Sequence, residues 1–441
     1  MRRRDFLAAA GSPALLRGRT PAFIASDVGP LRRVLVHAPG EETSHGLGLG
    51  YGPIRLLSTG IDPRAAIEHN ALVDILRRAG AEVLFFRDEL DAAVKSARAA
   101  GVLSTWLRGW APQLAPHSAK IDASVLLGAA ADWLFRNDDD GRFSPLSDPA
   151  GSLYWARDCA FMTPRGVVIG RFANESRTVE SILARFLYEW SPALKKYPIV
   201  FDAAEHDVSL EGGDAMVADE NTLLVGVGNR TSESAAPKLA RALNMDVVAV
   251  RLPSGTRSPL QNIFLHLDTV CTFVDTRTAL TLPWFFDKSE SGRDPLSHML
   301  RGMAAKPKAK DHNLESHLPA LARLGSVELF LAATGKKDDT LGDIKLADFL
   351  RARGYKIVLV GGHPPAADRD RHAAEVVLKE LRRQASNVVA VAPGKVVAYQ
   401  GNPHTAKALA SAGVEVIAFN GTELARQNGG PHCLTQPLER G

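Results

Sequence analysis

What this chain lacks narrows it first. Three cysteines, Cys159, Cys271 and Cys433, cannot build a disulfide framework, which leaves a free thiol available for chemistry. No stretch approaches the roughly 20 apolar residues that a membrane helix needs. No dense basic run carries interleaved aromatics, and Lys and Arg barely exceed Asp and Glu, so neither a membrane nor a nucleic acid is expected as a partner. No Cys/His spacing suggests zinc, and neither a metal nor a cofactor is expected. What is present is an ordinary globular composition, 45% hydrophobic and 23% charged. The 441 residues suit one large or repeat-built domain with insertions.

The amino terminus leaves two readings open. Arg3-Arg4-Asp5-Phe6-Leu7, followed by Ala8 to Gly11, resembles the start of a twin-arginine export signal. The apolar stretch after it is short, is broken by Pro13, and meets Arg17 and Arg19. A cytoplasmic protein with a basic tail and a periplasmic one exported through this segment therefore stand side by side. Residues 1–28 are set apart from the catalytic unit, 29–441.

One local pattern recurs: an amphipathic helix, a glycine stop, then a short β-branched or aromatic strand. It occurs at Leu76 to Phe86, Phe349 to Val360 and Leu409 to Phe419, and at Leu239 to Val250 with Asn244 in the glycine place. Glycine accepts the left-handed dihedrals that end a helix, and asparagine tolerates them. Leu72, Ile75, Leu76 and Ala79 share one helical face, which predicts that the face is buried. Four copies suggest a repeat architecture. Further strands are expected at 33–37, 166–170, 222–226, 269–274, 327–332 and 388–392. Two stretches read as insertions: an Ala-rich helical one at about 89–140, with helices at 92–100 and 123–135, and a charged, loop-rich one at about 286–322.

Four segments concentrate reactive side chains: Tyr154-Trp155-Ala156-Arg157-Asp158, Glu211-Gly212-Gly213-Asp214, His266-Leu267-Asp268-Thr269 and Gly429-Gly430-Pro431-His432-Cys433. Singly, each has a structural explanation: a local ion pair, a surface turn, an alternating strand, a loop. Together, in this order, the set resembles the arginine deiminases, members of the guanidino-group-modifying enzyme superfamily. The resemblance runs from Leu31 to Gly40 with Glu42, through Glu68-His69, Leu153 to Glu180, Leu210 to Thr231, Leu265 to Asp275 and Asn387 to Tyr399, to Gly429 to Arg440. It implies an α/β propeller of five ββαβ modules with a helical insertion after the first.

The resemblance also implies roles. A guanidinium is planar and permanently charged, so its carbon is a poor electrophile. Asp158 and Asp268 would hold its N–H edges, and Cys433 would attack the carbon to give a covalent intermediate. His266 would protonate the leaving ammonia and then activate water, oriented by Glu211. His266 and Asp268, two apart, would share one face of a strand. Cys159, directly after Asp158, would face away from it on a strand, Cys271 reads as a small core residue, and His432 either tunes the thiol or packs its loop.

For substrate binding the resemblance points to Arg177 and Arg230 as a fork for an α-carboxylate, with Asp214, Trp155, Ser152 and Asn428 in the same shell. Four features depart from the family pattern. Ser152 stands where Asn is usual, Trp155 where Phe is usual, Asn428 where an Arg is common, and Leu57-Ser58-Thr59-Gly60 where Leu-Phe-Asp-Asp is typical. The expected activity is hydrolysis of L-arginine to citrulline and ammonia. The alternatives are hydrolysis of another guanidino compound, amidino transfer, or non-catalytic guanidine binding. Intact Cys433, His266, Glu211, Asp158 and Asp268 argue against the last, and a near-terminal Cys in a Gly-Gly-Pro loop argues against a Cys/His peptidase. The expected partner is a small guanidino molecule, and homo-oligomerisation stays open.

Overall fold

The computed structural model describes residues 23–49, 61–130, 135–137, 143–145, 149–254, 264–284, 286, 323–364 and 368–441. The twin-arginine-like start, the stretch 57–60 and nearly all of the 286–322 insertion lie outside them. No helix among the described residues is long and apolar enough to cross a membrane.

The molecule is an α/β fold of small mixed sheets, and five of them share one plan. In each, a middle strand pairs antiparallel with one neighbour and parallel with the other. Leu31–Val36 sits between Gln436–Arg440 and Glu82–Phe85. Val167–Ile169 sits between Ala160–Met162 and Ile199–Asp202. Thr222–Val227 sits between Ala215–Asp219 and Asp246–Arg251, with Val327–Phe330 added outside the latter. Thr278–Thr281 sits between Cys271–Asp275 and Lys356–Leu359. Lys395–Tyr399 sits between Val389–Ala392 and Glu415–Phe419.

The parallel strand follows a helix in every sheet, as a parallel connection requires. Four of these helix–strand joints are the four sequence repeats: Arg64–Arg78, Ala235–Leu243, Leu346–Ala352 and Pro403–Ser411 lead into the parallel strands of their sheets. Gly80, Gly354 and Gly413 adopt φ of +91°, +82° and +89°, and Asn244 takes +51°. The fifth joint runs from Thr178–Trp190 to Ile199–Asp202 without a glycine stop and escapes the pattern. In the first helix Leu72, Ile75 and Leu76 are buried as expected, but Ala79 is exposed because it is already the C-cap.

The helical insertion starts directly after Phe85 with Phe86–Ala99, whose Phe86, Leu90, Ala93, Val94 and Ala97 bury one face against Thr178–Trp190. The helix expected over 123–135 is shorter, Ala123–Leu127. Asp122 caps its start by accepting the Val125 N–H, and Gly128, at φ +73°, ends it. Phe135–Asn137 instead pairs antiparallel with Phe143–Pro145. At the front of the chain Ile24, Asp27 and Val28 are buried, with Asp27 and Val217 exchanging hydrogen bonds. The packed chain thus begins before residue 28.

Candidate active site

Each of the five sheets is entered by a short turn that carries polar side chains, and these turns meet. Ala156–Cys159 leads into Ala160–Met162, and the 3-10 turn Gly212–Asp214 leads into Ala215–Asp219. The 3-10 turn Leu267–Thr269 precedes Cys271–Asp275, Asn387 precedes Val389–Ala392, and Cys433 precedes Gln436–Arg440. Neighbouring turns are tied in a closed sequence. The Arg157 carbonyl packs so close to Gly212 that a Cβ there would overlap it, and the Leu267 N–H donates to Asp214 Oδ1 at 2.9 Å. Asn387 Nδ2 donates to the Asp268 carbonyl at 3.2 Å, and the Cys433 N–H donates to Asn387 Oδ1 at 3.1 Å. The Arg157 N–H donates to the Cys433 carbonyl at 3.2 Å, which closes the circuit.

Cys433, His266, Glu211, Asp158 and Asp268 are all brought together here, and all five are buried. Cys433 Sγ lies 3.3 Å from Asp268 Oδ2, and the same oxygen is 2.9 Å from His432 Nδ1. His266 Nε2 meets Glu211 Oε2 at 2.8 Å, while its Nδ1 lies 3.7 Å from Asp158 Oδ1. Gly213 permits this approach, since a Cβ there would meet His266 Nδ1 at 2.6 Å. Two expectations about backbone fail. His266 and Asp268 are not on a strand but at the start and middle of a 3-10 turn, which aims them at different partners. Asp158 and Cys159 share a helical turn, where Cys159 Sγ contacts the Ala156 carbonyl. Cys271 is core, as read.

The charges explain the grouping. Burial disfavours a charge on His266, but Asp158, Glu211 and Asp214 together outweigh it and raise its pKa to about 10. Burial pushes Glu211 up, yet its bond to His266 and the nearby Arg230 and Arg177 hold it below the usual carboxylate range. Asp214, fully enclosed, is pushed up to about 7 by burial despite donors from Thr231 and Leu267. Burial and then Asp268 and Asp158 drive the Cys433 thiol well above its ordinary value. Burial, with Arg157 close by, lowers His432. At neutral pH the site therefore holds an imidazolium at His266 and a protonated thiol at Cys433. Asp158, Glu211 and His266 offer ligand atoms within 4.8 Å of one another, a spacing a divalent ion could use. The charged imidazolium already supplies the cation between those carboxylates.

The substrate-binding set is divided. Arg177 is committed to protein partners: Nη1 donates to Asp158 Oδ2 at 2.8 Å, Nη2 to Glu180 Oε2 at 2.7 Å and to the Ser152 carbonyl at 3.3 Å. Its guanidinium also covers the Phe172 ring. Arg230 is 27% exposed and reaches Glu211 Oε1 only at 3.7 Å, so it retains capacity for a ligand. Trp155 is buried against Gly429, where a Cβ would meet its ring at 2.5 Å. Asn428 is exposed and holds φ +67° just past the helix Thr422–Ala425. Three participants lie within the resembling segments but had no role read into them: Asn387 on the thiol, Glu180 behind Arg177, and Arg157, whose Nε donates to the His432 carbonyl at 2.9 Å.

Comparison with known proteins finds similar chains. Arginine deiminases of Rhodococcus opacus and Borrelia duttonii are 28% and 25% identical to the chain. They cover 96% and 95% of it, and in each case 98% of the relative itself. Among solved structures, a DDAH mutant from Pseudomonas aeruginosa complexed with citrulline is 14% identical, with a TM-score of 0.47, over 92% of this chain and 99% of that one. Apo ArgZ, a cyanobacterial arginine dihydrolase, is 15% identical, with a TM-score of 0.46, over 93% and 39%. The arginine deiminase model matches residues 129–440, which include all five clustered residues, and the chain belongs to the arginine deiminase family.

Proposed function

We propose that the protein hydrolyses the guanidinium C–N bond of L-arginine to citrulline and ammonia through a covalent Cys433 intermediate. One observation carries this reading. Among the described residues Asp158 Oδ1 and Asp268 Oδ1 are buried without a hydrogen-bond partner, beside a thiol and a charged histidine. Buried carboxylate oxygens call for donors, and a guanidinium presents N–H pairs in the matching plane. Its charge also offsets the two carboxylates that keep the thiol protonated.

The steps balance from these groups. The sulfur attacks the guanidinium carbon and forms the C–S bond. His266 gives its proton to the departing nitrogen, the C–N bond breaks, and the thiol proton leaves with the ammonia as ammonium. Neutral His266 then takes a proton from water, whose oxygen attacks the same carbon. Collapse breaks the C–S bond, releases the ureido product, and restores the thiol and the imidazolium. Glu211 orients His266 throughout. Arg230 would bind the substrate carboxylate, with Trp155, Ser152 and Asn428 in the shell around the substrate and Asp214 enclosed behind His266.

A second reading, a guanidino substrate with no carboxylate fork, is favoured by the commitment of Arg177 to Asp158 and Glu180. A panel of arginine, agmatine and other guanidino compounds, assayed for ammonia, ureido product and amidino transfer, separates the readings. Ammonia and citrulline from arginine are expected, and release of neither from any member rejects the hydrolase reading.

The five like sheets and the closed circuit of their entry turns support a five-module propeller, with one catalytic unit that takes in Ile24 to Val28 as well as the expected 29–441. The cytoplasm is the proposed location. A reporter fused behind residues 1–28 should stay inside the cell, and its twin-arginine-dependent export would reverse that assignment.

A further inference from the structure

We propose that Asn387 is a catalytic residue that stabilises the Cys433 thiolate by donating a hydrogen bond to Sγ while the rest of its amide fixes the nucleophile's backbone and Asp268. The inference rests on the reading of Cys433 as the nucleophile. Asn387 is buried, and its Nδ2 lies 3.1 Å from Cys433 Sγ. Its Oδ1 accepts the Cys433 N–H at 3.1 Å, and Nδ2 also donates to the Asp268 carbonyl at 3.2 Å.

The two backbone contacts decide which way the amide points. Only the oxygen can accept the Cys433 N–H, and only the nitrogen can serve the Asp268 carbonyl. The remaining Nδ2 proton is therefore fixed toward sulfur. Asn387 cannot turn away without leaving two buried backbone groups unpaired.

The surroundings of Sγ oppose a thiolate, so each donor to the sulfur counts. The charged neighbours on its side of the site are the carboxylates Asp268 and Asp158, both of which oppose the thiolate. His432 is bonded to Asp268 rather than to sulfur, Arg157 donates its Nε–H to the His432 carbonyl, and His266 is held by Glu211. The Tyr399 hydroxyl donates to the Gly429 carbonyl. Within its own immediate contacts the sulfur has Asp268 as acceptor for the thiol proton, and the Gly430 N–H and Asn387 as donors, of which Asn387 is the side chain. When the proton leaves, the Asp268 contact turns repulsive and the Asn387 contact becomes charge-assisted, so it strengthens as the attacking species forms.

The repeat gives a second, independent argument. Four of the five entry turns contribute a group with an expected role: Asp158, Glu211 with Asp214, His266 with Asp268, and Cys433. The turn before Val389–Ala392 is the fifth, and Asn387 is the side chain it brings to the sulfur.

The test compares wild type with Asn387→Ala and Asn387→Asp. Iodoacetamide alkylation of Cys433 is followed against pH by mass spectrometry, with Cys433→Ala as the background for Cys159 and Cys271. Alkylation needs no guanidino substrate, so the result stands even if arginine is not the substrate. The midpoint should move up by about one pH unit or more in both variants, and kcat should fall by about 100-fold with little change in KM. A folded variant with an unchanged alkylation profile overturns the proposal. Should both variants fail to melt cooperatively, wild type answers instead. Its Asn387 Nδ2–H resonance should move with pH along the alkylation profile and stop moving in Cys433→Ala, and a resonance indifferent to thiol ionisation overturns the proposal.

Discussion

Arg177 holds Asp158 by Nη1 at 2.8 Å and turns its other edge to Glu180, so it supports a carboxylate of the site from behind. Arg230 has no such commitment. The two arginines should therefore fail differently. Arg230→Ala should raise KM for arginine by roughly 10- to 100-fold, the equivalent of about 1.5–3 kcal/mol for a charged hydrogen bond. It should leave agmatine, which lacks the carboxylate, nearly unaffected. Arg177→Ala should instead lower kcat for both compounds, because Asp158 loses its support. Steady-state kinetics on the pair of substrates decides. Wild-type turnover of agmatine equal to that of arginine would remove the carboxylate anchor from the account.

Cys433→Ala should lose turnover by about 10⁴-fold or more, the scale of deleting a catalytic nucleophile. It should keep its cooperative melt. Acid quenching of wild type during turnover should leave added mass at Cys433 alone, since only its sulfur contacts Asp268, while Cys159 is turned to the Ala156 carbonyl and Cys271 packs in the core. Adduct on either of those two would reassign the nucleophile.

The charged His266 makes a prediction about stability. Its pKa rises from 6.5 to about 10 on folding, so the charged form is favoured by the folded state. The corresponding stability is complete below about 6.5 and disappears as pH climbs through about 10. Wild type should therefore lose stability relative to His266→Asn across that window. Urea melts of both proteins at stepped pH give the difference directly, and a pH-independent difference contradicts the charged state.

How much of this was legible beforehand follows from range. The four helix–strand joints with Gly80, Asn244, Gly354 and Gly413 show in the sequence because an amphipathic face and a left-handed cap are local features. The three-residue strand Ala160–Met162 is too short to display alternation, whereas Val167–Ile169 falls inside the strand expected at 166–170. The fifth joint hides because Ser191-Pro192 and further residues separate Trp190 from Ile199. The catalytic set was read through its resemblance to a family. The direction of His266 and Asp268 was misread, since spacing by two does not distinguish a strand from a 3-10 turn. Asn387 opens one of the resembling stretches without a role of its own, and only its neighbours in space reveal one.

Asn428 shows how backbone and chemistry compete. Its φ of +67° suits asparagine and strains a longer side chain, by roughly 1 kcal/mol. Asn428→Arg should therefore melt lower than wild type, and Asn428→Gly should not. If the exposed position also shapes the entrance, Asn428→Arg should raise arginine turnover despite its lower melting temperature. Activity equal to or below wild type would leave Asn428 as a helix-ending residue alone.

The circuit of entry turns carries a kinetic consequence. The contact between Cys433 and Asp268 joins residues 165 apart, and that between Arg157 and His432 joins residues 275 apart. Contacts of such separation form late, after the local helix–strand units have already nucleated. During refolding, helical signal should return well ahead of catalysis. A chain halted partway would look largely structured and yet be chemically silent, so activity measures the slowest event in folding and not the average one.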